Sequence, residues 1–179
     1  MVEPSKAVLH ASPTLGQTVG IYAFHLMLLC TLLPAALIEY DKKRVPVSLF
    51  LPAIVVGAVA PLFFAWLRPV AAFLVLPHAV HLQGLADGVV GFAAGVAVGL
   101  ILMLGAPGVS PSPRSSGILL AAACVGLFLG YQAILVLGLV AAVVGLLERI
   151  AGRLRPGLPV VGPIIWLTLF VPVWIVFWR

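Results

Sequence analysis

From Ile118 to Leu147 the chain runs thirty residues without a charged side chain. As one α-helix this run would measure about 45 Å at 1.5 Å per residue. A hydrocarbon core is only about 30 Å thick. Water-soluble domains do not tolerate such a run on a chain this short, and a single upright membrane helix does not need it. The residues Gly130-Tyr131-Gln132 offer a break in its middle, which predicts two short spans at 116–130 and 132–149.

The rest of the chain follows the same pattern. Of 179 residues, 63% are hydrophobic and 8% charged, with a mean hydropathy of +1.25; soluble domains carry about 25% charged residues. Lipid leaves backbone groups no partner outside the chain, so helices are the expected spanning element. The reading is an all-α polytopic membrane protein of about six transmembrane helices. A polar tail, 1–18, precedes a single transmembrane domain, 19–179. Further spans are expected at Val19 to Tyr40 (bent at Pro34), Val47 to Leu67, Leu82 to Leu104 and Val160 to Trp178. Residues 69–80 are apolar but too short to cross and read as interfacial or re-entrant. Five spans are the alternative, if the thirty-residue run is one tilted helix.

Charge decides between the two counts. With the N-terminus outside, the cytoplasmic loops receive Lys42, Lys43, Arg44, Arg114, Arg149, Arg153 and Arg155. The outside receives Lys6, Arg68 and Arg179. Seven bases against three obey the positive-inside rule, and five spans would spoil that agreement. Cytoplasmic loops are therefore expected at 41–46, 105–117 and 149–158, in a multi-pass protein of the cytoplasmic (inner) membrane. The net charge of +5 reflects this topology and forms no stripe for nucleic acid, so the lipid bilayer is the expected partner.

Few residues are left for chemistry. Cys30 and Cys124 stand alone in apolar stretches. His78 and His81 lie near Asp87 but lack a third ligand, so neither a metal nor a cofactor is expected. Asp87 enters the third span, where an acid demands a partner or a positive helix end. Glu148 reads as a solvated cap beside Arg149. Glu39 and Asp41 close the first span before Lys42-Lys43-Arg44; two residues apart, they do not share a helix face. Glycines at 84, 88, 91, 95 and 99 give the third span a face for close helix approach.

The stretch Ala36 to Phe64, ALIEYDKKRVPVSLFLPAIVVGAVAPLFF, resembles the first catalytic region of the type IV prepilin peptidases, membrane aspartic proteases of the GxGD type. Asp41 falls on the family's first catalytic aspartate and Pro46 on its proline, with Leu49, Pro52 and Gly57 on the pattern that follows. Leu82 to Gly99 resembles the small-residue span, Leu119 to Ala133 the alanine-rich helix ending in an LGxQ turn, and residues 157–167 the closing segment opened by Gly-Pro. The likeness covers about residues 19–178 and corresponds to the short form, without the N-terminal methylation domain. It implies a prepilin-peptidase-like core that acts at the cytoplasmic membrane face on pilin-like precursors.

One departure bears on activity. Aligned back from the LGxQ turn, Ser115, Ser116 and Gly117 take the Gly-x-Gly positions of the second motif, Ile118 takes the aspartate and Leu120 the lysine. An aspartic protease needs two carboxylates, one ionised as base and one protonated. Asp41 is the only retained member of the pair, so the resemblance implies an impaired or inactive enzyme, with Ser115, Ser116 and Gly117 lining the substrate side. Its partners would be pilin-like precursors or pilus and secretion assembly proteins. The alternative is a small membrane transporter or assembly subunit without peptidase ancestry.

Overall fold

The computed structural model describes residues 14–64, 67, 80–104, 115–154 and 161–177. Within them the chain forms six α-helices and no strand: α1 (Leu15–Tyr40), α2 (Leu51–Phe63), α3 (Val80–Leu104), α4 (Ser115–Leu129), α5 (Tyr131–Leu154) and α6 (Pro163–Phe177). A 3-10 turn, Val47–Leu49, leads into α2. The expected features at residues 1–13, 65–66, 68–79, 105–114, 155–160 and 178–179, Arg68, His78 and Arg179 among them, lie outside the described residues.

Three helices are long and apolar enough to cross a membrane, at Leu15–Tyr40, Gly84–Met103 and Tyr131–Glu148. Three more apolar helices are shorter: Val47–Phe63, Ser116–Leu129 and Pro163–Val176. Their outward faces are apolar, with Leu26, Leu33 and Leu37 of α1 all more than half exposed. Such surfaces suit acyl chains and not water.

Boundaries differ from expectation where backbone groups find partners that apolar patterning does not show. The first helix begins at Leu15, inside the expected tail, because Thr14 and Gln17 form a reciprocal capping box. The Gln17 N–H donates to Thr14 Oγ1, and the Thr14 N–H donates to Gln17 Oε1 at 2.9 Å; two of the helix's orphan donors are thereby satisfied. The fifth helix continues to Leu154, so residues 149–154 are helical and not a loop. The break in the thirty-residue run falls at Gly130, whose φ of 88° suits glycine and strains any other residue.

Close approaches fix the directions of the helices. Gly91, Gly95 and Gly99 face Gly126, Ala122 and Leu119 in turn, so α3 and α4 run antiparallel. A Cβ on Gly91 or on Gly126 would fall on the other's carbonyl oxygen, which is why both positions lack one. Gly130 also abuts Gly91, whereas Gly138 faces Val98, so α5 turns straight back and runs alongside α3. Thr168 Oγ1 lies 3.5 Å from the Leu32 carbonyl, and the Ile164 N–H meets Glu39; α6 is therefore antiparallel to α1. Leu28, Leu32, Phe50, Phe128, Leu129, Ile134, Ile164 and Leu167 fill the space between the helices, and Phe24 stacks on Phe128 with centroids 4.4 Å apart. One end of the bundle gathers the C-termini of α1 and α5 with the N-termini of α4 and α6.

Candidate functional site

Asp41 sits at that end, as the C-cap of α1. The helix stops in a Schellman turn: the Lys43 N–H donates to the Ile38 carbonyl and the Lys42 N–H to that of Glu39. Such a turn needs a left-handed residue, a position that usually falls to glycine. Here Lys42 takes it, at φ 56°, and a side chain there costs about 1–2 kcal/mol. The Asp41 carboxylate is exposed and lies 3.7 Å from Lys43 Nζ.

Beyond the bases the chain dives inward. Val45 is buried, and a Cβ on Gly117 would lie 3.0 Å from Val45 Cβ. The segment after Asp41 thus packs against the first turn of α4, where Ser115, Ser116 and Gly117 stand. Ser116 is half-buried and Ile118 buried. Ile118, at the position that the resemblance gives to the second aspartate, belongs to the apolar core.

The two acids closing α1 part company. Glu39 points inward, and its Oε2 accepts the Ile164 N–H at 2.9 Å. Its carboxylate also lies against Gly162, where a Cβ would overlap it. A helix N-terminus presents N–H groups without intrahelical acceptors and a positive dipole end, and Pro163 opens α6 without an N–H of its own. Glu39 fills that need from another helix. It is a structural anchor and not a partner for Asp41.

Glu148 corrects an expectation. It lies within α5, half-buried, and accepts a hydrogen bond from Trp166 Nε1 at 3.3 Å; it is not the solvated cap at a helix end that its neighbour Arg149 suggests. Because α5 continues for another turn and a half, Glu148 faces α6. Two carboxylates, from α1 and α5, therefore hold the first turns of α6.

The remaining polar residues lie elsewhere. His25 is buried in α1, its Nδ1 2.7 Å from the Ile21 carbonyl. Asp87 is half-buried in α3, one turn before Gly91. His81 belongs to the first turn of α3. Among the described residues no three His, Cys, Asp or Glu side chains gather as a metal site would require.

Sequence patterning pointed to Asp41 and the start of α4 but missed Glu39. The clue was the Gly-Pro at 162–163: a helix opened this way leaves donors that some acceptor must meet, and an acid inside the far end of an apolar helix is a fitting one. Compared with known protein families, characterised proteins and solved structures, the chain matches none.

Proposed function

We propose that this chain is a six-helix, prepilin-peptidase-like protein of the cytoplasmic membrane with its N-terminus outside, in which the peptidase site is incomplete. The observation that supports the reading most is the contact of Val45 with Gly117. It joins the Asp41 turn to the segment that the resemblance aligns with the second catalytic motif, although the two are more than seventy residues apart in sequence. Helix direction alternates along the chain, and α4 and α5 form a hairpin whose apex lies level with Gly91.

Catalysis by an aspartyl pair requires like-charged carboxylates close enough to share a proton. Here the second position is a buried isoleucine, the acid two residues away caps α6, and Asp41 faces Lys43. Asp41 alone can bind a backbone amide or a basic side chain, but it cannot polarise a carbonyl and activate water at once. The protein then engages a pilin-like precursor, or the assembly proteins that handle one, without cutting it.

The test is incubation of the purified protein in lipid with a precursor bearing a basic leader and an apolar helix. Wild type and Asp41→Ala should both leave the precursor intact while wild type retains it on an affinity column. Cleavage by wild type that is lost in Asp41→Ala would overturn the inactive reading. Gain of cleavage in Ile118→Asp would identify the missing half of the site.

A further inference from the structure

The turn that ends α1 carries three consecutive exposed bases, Lys42, Lys43 and Arg44. It is held at both ends. The N–H groups of Lys42 and Lys43 donate back into the last turn of α1, and Val45 is buried against Gly117. The bases stand on a fixed support, so binding to them forfeits little ordering entropy. Asp41 answers Lys43; among the described residues no carboxylate pairs with Lys42 or Arg44.

Helix length sets the depth of this turn. The 26 residues of α1 extend about 39 Å, beyond a hydrocarbon core of roughly 30 Å, so the turn emerges among the headgroups. Tyr40, the last helical residue, is exposed there, at the level where aromatic side chains favour the interface. Below it the exposed Leu33 and Leu37 run down the same helix toward the hydrocarbon.

The backbone supplies an independent observation. Lys42 holds a left-handed conformation that glycine would adopt without penalty in the same turn. A side chain kept at a strained position outside the core makes no packing contribution that would explain it, and such strain collects where a side chain has a task.

We infer that Lys42 and Arg44 form a binding site for the phosphate of an anionic phospholipid, with Lys43 as an outer contributor. The ammonium of Lys42 and the forked guanidinium of Arg44 suit the phosphate oxygens. The apolar flank at Leu33 and Leu37 suits the acyl chains, which distinguishes a lipid from free phosphate. This inference does not depend on the peptidase likeness.

Native mass spectrometry of the purified full chain, in neutral detergent with equimolar phosphatidylglycerol and phosphatidylcholine, tests it. Wild type should retain phosphatidylglycerol preferentially. Lys42→Gly and Arg44→Gln should each lower that preference about fivefold, and the double variant should abolish it. Both side chains are exposed, and glycine relieves the strain at position 42, so an undiminished melting temperature in neutral detergent will show that the variants are folded. A folded double variant with wild-type preference would overturn the inference, as would equal retention of the two lipids by wild type. Displacement of phosphatidylglycerol by millimolar inorganic phosphate would overturn the assignment to a lipid.

Discussion

The Glu39 carboxylate receives the Ile164 N–H across 125 residues of chain, and this hydrogen bond ties the last turn of α1 to the first turn of α6. Two residues after Glu39 comes Asp41, and Gly117 lies close to both Val45 and the Ile164 side chain. Three helix ends thus meet beside one half-buried acceptor. The geometry of the Asp41 turn is set from the α6 side as much as from its own helix.

Removing that acceptor should loosen this end of the bundle. Glu39→Ala leaves the Ile164 N–H without its partner in a half-buried place, a loss of about 1–3 kcal/mol. Glu39→Gln keeps an oxygen in position and should lose less. Thermal unfolding in detergent gives the order wild type, Gln, Ala; an Ala variant as stable as wild type would show that water or another group caps α6 equally well.

Helix α3 and helix α4 touch through backbone at Gly91 and Gly126. Alanine at either position should force the helices apart and cost about 1–3 kcal/mol. Gly145, on α5, has nothing within 4 Å of where a Cβ would stand. Gly145→Ala should therefore stabilise the protein, by up to about 1 kcal/mol from helix propensity alone. Paired melting curves would settle the contrast, and equal effects at the two sites would contradict the packing described.

At position 42 the sign is reversed relative to most surface changes. Lys42→Gly should raise stability by about 1 kcal/mol, because the left-handed strain disappears. Lys42→Ala keeps the strain and should leave stability near wild type. A glycine variant that melts lower than the alanine variant would rule out backbone strain as the governing term.

Topology is open to a labelling experiment. In a Cys30→Ser background, Lys43→Cys and Ala151→Cys should react from the same side of the membrane, and Thr14→Cys from the other. A single tilted helix through 118–147 would put positions 43 and 151 on opposite sides.

The helices were legible because lipid allows so few solutions. Apolar runs such as Val19 to Ile38 reveal themselves by length, and the run from Ile118 was too long not to break at Gly130. The regular glycines of α3 pointed correctly to a close neighbour, since few other pressures keep small residues on one face. Glu39 and Glu148 were not legible in the same way. Their partners are an N–H on Ile164 and an indole on Trp166, each on a different helix. Nothing local to an acid tells which distant donor it will meet. For the same reason Asp41 could be singled out, while its pairing with Lys43 and the burial of Ile118 appeared only with the fold.

The tight return at Gly130 gives the molecule an uneven profile. Its apex reaches Gly91, eleven residues into α3, or about 16 Å below the start of that helix. Among the described residues, six helices share the cross-section at the basic end, and α1, α2, α3 and α6 continue above the apex. In a bilayer the described helices displace more area from one leaflet than from the other. Such an uneven cross-section couples a membrane protein to curvature and to leaflet asymmetry, which become mechanical variables for the hairpin that turns at Gly130.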